Sequence, residues 1–91
     1  MKKKEFKLVT GTFNVDEAQE VLMSLIIGKI NFHTKRILSL RERNGIEDEH
    51  SEKRIEELNA SREQILHLLK QADDSKHKIT IDSTIYIEIQ N

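Results

Sequence analysis

Two long stretches of the chain place apolar residues at alternating intervals of three and four, and Asn44-Gly45 lies between them. This spacing is typical of helices that pack side by side with heptad-like stripes. The chain contains no proline that could interrupt either stretch. Asn-Gly suits a left-handed helix end, and a short connection makes consecutive helices antiparallel neighbours. The sequence therefore predicts a coiled-coil-like helical hairpin.

The two stripes can be aligned with each other. The first contains Met23, Ile26, Ile30, His33, Ile37, Leu40 and Asn44, and the second contains Ile55, Leu58, Arg62, Ile65, Leu69 and Ala72. In an antiparallel pair of helices, the residue numbers of facing positions add up to a constant. If that constant is 95, the facing pairs are apolar except His33 with Arg62. We therefore expect one polar layer that fixes the register of the hairpin, made of His33, Arg62, Thr34 and Asn59. The alternative for His33 is a pH switch or a ligand site. Beside this layer, towards the tip, the same alignment sets Arg41 near Glu52.

The ends of the chain favour strands. Isoleucine alternates with polar residues in 78–90, and residues 5–13 are rich in β-branched and aromatic residues. Gly11 is expected to form a bulge. Asn14 and Glu17 have the spacing of a capping box, which starts a first helix over 15–44; the second helix is expected over 49–72. Residues 73–76 are expected to form a turn, and residues 1–4 a frayed basic tail.

These elements predict one helix-dominated α+β domain over residues 1–91, with the order β-α-α-β. The helical hairpin would carry a two-stranded antiparallel ribbon at its base. A second apolar stripe on the first helix needs a cover, and a two-stranded ribbon is marginally stable alone. We therefore expect a homodimer, through edge-to-edge strands, through the second helical stripe or through both, with a monomer whose ribbon covers the stripe as the alternative. The candidate dimer surface is Val21, Leu22, Leu25, Phe32, Ile85, Ile87 and Ile89.

Composition limits the possible chemistry. The absence of cysteine removes disulfides and thiol catalysis and fits a cytoplasmic protein. The net charge of −1 argues against a dedicated nucleic-acid binder, although the lysines at 2–4 could contact phosphates weakly. The longest apolar run, over 21–28, is too short to cross a membrane. No nucleophile–base set can be assembled, so we expect neither an enzyme nor a bound cofactor.

The acidic tip of the hairpin is the candidate site for chemistry. Glu47, Asp48, Glu49 and His50 follow one another there, and carboxylates with a histidine can hold a metal. Acidic residues at a helix start also complement the helix dipole, and the four histidines of the chain do not have ligand spacing. We therefore expect no metal site.

Three hypotheses for the function follow. The first is a non-enzymatic interaction or scaffold module, a homodimer that presents its helical hairpin to a protein partner the sequence does not identify. The second is a regulator that inserts the acidic tip into an enzyme or polymerase channel. The third is a weakly nucleic-acid-associated protein that uses the lysine tail.

Overall fold

The computed structural model describes residues 2–44, 49–73 and 75–90. It contains strand β1 (Lys2–Phe13), helix α1 (Val15–Asn44), helix α2 (Glu49–Lys70) and strand β2 (Ile79–Ile89), and the two strands pair antiparallel. The predicted α+β class and the β-α-α-β order are confirmed. The chain divides into two compact units, residues 1–18 with 72–91 and residues 19–71. That the chain forms a single domain stays a prediction.

Most element boundaries lie close to the predicted ones, but the prediction of a frayed basic tail is wrong. Lys2, Lys3 and Lys4 belong to β1, where they pair with Ile89, Glu88 and Ile87. The reason is the length of β2, which runs far enough to give these three residues ladder partners while their ammonium groups stay exposed.

The junction between β1 and α1 is the predicted capping box. The backbone N–H of Glu17 donates to Asn14 Oδ1 at 2.8 Å, and the backbone N–H of Asn14 donates to Glu17 Oε1 at 3.1 Å. The N–H of Ala18 donates to the carbonyl of Asn14 at 2.9 Å, and the Ala18 side chain is fully buried. The two capping-box bonds satisfy donors that the first turn of a helix leaves open, and the Ala18 bond is the first regular bond of the helix, which explains why α1 begins at Val15.

A bulge lies in β1, although at a different place from the one expected. The register shifts between Lys7, which pairs with Thr84, and Val9, which pairs with Ser83, so Leu8 is the extra residue and Gly11 pairs regularly with Ile81. One extra residue moves every later side chain of the strand to the opposite face. Val9 and Phe13 therefore share the face of Phe6.

The bulge gives the ribbon one face rich in apolar residues. Cross-strand partners share a face, so this face carries Lys2, Lys4, Phe6, Val9, Gly11 and Phe13 of β1 and Ile79, Ile81, Ser83, Ile85, Ile87 and Ile89 of β2. The opposite face is polar: there Lys7 Nζ lies 3.3 Å from Asp82 Oδ1 and donates to Thr84 Oγ1 at 3.2 Å.

Candidate interaction surfaces

A polar layer does lie between the two helices, with His33 at its centre. A hydrogen bond of 3.0 Å joins His33 Nδ1 to Ser51 Oγ. His33 is 6% exposed and Ser51 is fully buried, so both polar groups are removed from water and the bond between them offsets part of that cost. The ring of Phe32 meets the ring of His33 edge-on, with centroids 5.3 Å apart.

The predicted partner of His33 was wrong. Arg62 lies eleven residues after Ser51 in α2, which is about 16 Å along a helix, so one layer cannot contain both. The guanidinium of Arg62 instead lies 3.9 Å from the carboxylate of Glu63, a neighbour in its own helix. Thr34 donates to the carbonyl of Ile30 in its own helix at 3.0 Å, and Asn59 is exposed. The four residues predicted for the layer therefore do not come together.

At the level of His33 and towards the start of α1, the two helices are shifted by about three turns from the predicted alignment. The residue numbers of the facing positions His33 and Ser51 add up to 84, whereas the predicted alignment requires 95. Near the start of α1, Gln19 lines a surface depression together with Glu63, Leu66, His67 and Lys70 of α2. The residue numbers of Gln19 and Leu66 add up to 85, which is close to the total at His33 and Ser51. Eleven residues are close to three helical turns, so the same stripes face each other in both alignments. Ser51 lies one step before Ile55 on the α2 stripe, and extending that stripe towards the tip would have found it.

One predicted contact between the helices is confirmed. Arg41 Nη2 and Glu52 Oε1 form an ion pair of 3.0 Å. Both side chains are long, so they can meet although Arg41 lies two turns beyond His33 in α1. Both are also well exposed, and such a pair contributes at most about 1 kcal/mol.

The acidic tip is only partly within the described residues. Glu47 and Asp48 lie outside them, whereas Glu49 and His50 are the first residues of α2 and are exposed. Within the described ranges, no group of three or more histidine, aspartate or glutamate side chains is arranged to hold a metal ion. The tip therefore remains a sequence-based hypothesis.

The candidate dimer surface is mostly exposed. Val21 and Leu22 of α1 are half-buried, while Leu25 and Phe32 are exposed. Lys29 Nζ lies 4.6 Å from the centre of the Phe32 ring, a cation–π contact across one helical turn. In the ribbon, Ile85, Ile87 and Ile89 are all exposed, and Ile89 reaches 62%.

Exposure increases along the apolar face of the ribbon. Ile81 is buried, whereas Phe6, opposite Ile85, is 51% exposed. Beyond it lies a shallow groove of about 220 Å³, lined by Lys2, Lys4, Phe6, Ile87 and Ile89. Phe6 could not be assigned to this surface from the sequence, because regular alternation places it on one face with Leu8, Thr10 and Thr12.

None of the described helices has the length and apolarity that crossing a membrane requires. Comparison with protein-family models, curated proteins and solved structures finds no match to this chain.

Proposed function

We propose that the protein is a non-enzymatic interaction module that acts as a homodimer and presents its helical hairpin to a protein partner. The exposed apolar face of the ribbon is the observation that carries this proposal. Phe6, Ile85, Ile87 and Ile89 expose between 39% and 62% of their surface and lie together on one side of a two-stranded ribbon. Apolar side chains that are exposed side by side in this way support an interaction site on this face.

The small buried core supports the same proposal. Among the described residues, the buried apolar side chains are Ala18, Leu58, Leu69 and Ile81. So few buried apolar side chains are typical of a small chain that buries further apolar surface against a partner.

Solution mass tests this proposal. Light scattering over a wide range of protein concentrations should give about 21 kDa, twice the 10.7 kDa of the chain, and the value should persist on dilution. The mass should persist because separating the copies would return the apolar side chains at their junction to water. A mass of 10.7 kDa at every concentration would contradict the dimer.

The hairpin part of the proposal has its own test. In a dimer joined through apolar surfaces, changing Glu49 and His50 together to alanine should leave the mass unchanged, because both residues are exposed at the start of α2. The same variant should weaken capture of a partner that binds the hairpin tip. A change in mass would mean instead that the tip takes part in self-association.

A further inference from the structure

The two outer edges of the ribbon differ in charge. The sheet has two strands, so β1 and β2 each have one side without a strand neighbour among the residues that the structure describes. β1 carries lysine at positions 2, 3, 4 and 7, whereas β2 carries no lysine or arginine, and its charged residues are Asp82 and Glu88. Lysine on an edge strand opposes pairing with another strand. Of the two edges, β1 is therefore protected against pairing and β2 is not.

The unprotected edge also has the composition of a strand that pairs well. Residues 84–89 of β2 read Thr-Ile-Tyr-Ile-Glu-Ile, which are β-branched or aromatic at every position but one. The side chains from Ile85 onward are exposed, and Tyr86 reaches 77%. A long exposed strand edge with little charge is a template for another strand.

We infer that two copies of this chain join edge to edge through β2, in antiparallel orientation, to form a four-stranded sheet of order β1-β2-β2-β1. This inference rests on the proposed homodimer and specifies its interface. A contact of β2 with the β2 of a second copy is isologous and closes after two chains. A contact of β2 with β1 of another copy would propagate along a filament, and the lysines of β1 oppose it.

The charges of β2 restrict the register of this pairing. The exposed segment runs from Ile85 to Ile89, so a symmetric pairing of that segment is centred on Tyr86 or Ile87. Both registers keep the isoleucines of the two copies on one face, because side chains alternate along a strand. A centre at Glu88 would oppose Glu88 to itself, and a centre at Ile85 would oppose Asp82 to Glu88. Like charges in opposed positions are destabilising.

The test compares one substitution on β2 with the same substitution on α1. In Ile87→Glu the new carboxylate lies opposite Lys4 in the ribbon, so the ribbon keeps a favourable cross-strand pair. In the register centred on Ile87 two such carboxylates would oppose each other, and in the register centred on Tyr86 each would lie opposite Ile85 of the other copy. In Phe32→Glu the new carboxylate lies one turn from Lys29, which supports α1. Ile89→Glu, opposite Lys2, is a second β2 variant at the strand end, where a change disturbs the ribbon least.

We expect both β2 variants to keep the circular dichroism of the parent, and we expect Ile87→Glu to raise the dimer dissociation constant by about tenfold or more. Phe32→Glu should remain dimeric. If Phe32→Glu dissociates while both β2 variants stay dimeric, the dimer exists but uses the helical stripe, and the β2 interface is overturned. If the parent chain itself is a monomer, the proposed function fails together with this inference.

Discussion

Individual residues are most predictable where their partners lie close along the chain. The capping box could be identified from Asn14 and Glu17 because an N-cap and its third helical position always face each other. Ser51 was missed because its partner, His33, lies 18 positions away and is set by the packing of two helices. The spacing of the α2 stripe places Ser51 on the side that faces α1, but it does not indicate which residue of α1 lies opposite.

The cap makes a measurable contribution to stability. Asn14→Ala should lower the free energy of unfolding by about 1 kcal/mol, because the N–H of Glu17 loses its acceptor in the first turn of α1. Urea denaturation measures the change. Asn14→Asp is the matched control, since its carboxylate keeps the acceptor and complements the helix dipole. An alanine variant as stable as the aspartate variant would contradict this role for Asn14.

The turn after α2 contains the carboxylate with a perturbed pKa. The side-chain hydroxyl of Ser75 donates to Asp73 Oδ1 at 2.7 Å and the Ser75 backbone N–H donates to the same atom at 3.0 Å. These bonds hold the pKa of Asp73 below its usual 3.8, with a smaller contribution from the charge of His77. The turn expected over residues 73–76 is thus held by its own side chains.

This shift gives a pH prediction with a definite sign. Because the folded chain lowers the pKa of Asp73, the stabilisation is fully present above pH 3.8 and is lost as the pH falls through the lower folded value. An NMR titration of the Asp73 carboxyl should give a midpoint below 3.8, and Ser75→Ala should move it back towards 3.8. A midpoint at or above 3.8 in the parent chain would contradict the hydrogen-bonded turn.

At the scale of elements, the type and order were predictable but their alignment was not. The stripes of α1 and α2 repeat with nearly the same apolar residues, so a shift of three turns brings the same faces together. The polar residue that distinguishes the two alignments is Ser51, which the predicted stripe did not include. The position of the bulge at Leu8 could not be predicted for a related reason: it is defined by the pairing of β1 with β2.

A double-mutant cycle distinguishes the two alignments of the hairpin. His33→Ala and Ser51→Ala should be coupled by about 0.5–1.5 kcal/mol in the free energy of unfolding, since the two side chains share a buried hydrogen bond. His33→Ala and Arg62→Ala should be additive within about 0.5 kcal/mol, because Arg62 lies about 16 Å further along α2 than Ser51. Strong coupling of His33 to Arg62 with none to Ser51 would restore the alignment predicted from the sequence.

At the scale of the whole molecule, the amount of exposed apolar surface distinguishes a chain that is stable as a monomer from one that needs a partner. The need for a cover could be predicted from the second apolar stripe of α1 and from a ribbon of two strands. The part played by Phe6 could not, because the bulge decides which face it joins. The difference in lysine content between the two strands is visible in the sequence, but it acquires a meaning only when β1 and β2 are known to be opposite edges of one sheet.

Disulfide trapping is the most direct test of whether two copies join through β2. The chain has no cysteine, so a single introduced cysteine can cross-link only with its counterpart in a second copy. Opposed residues of antiparallel strands lie about 4.5–5.5 Å apart, which a disulfide can bridge. Tyr86→Cys or Ile87→Cys should give a covalent dimer under mild oxidation, whereas Lys3→Cys on β1 should stay at the mass of one chain. Efficient cross-linking through Lys3→Cys, with none through either β2 position, would contradict the β2 interface.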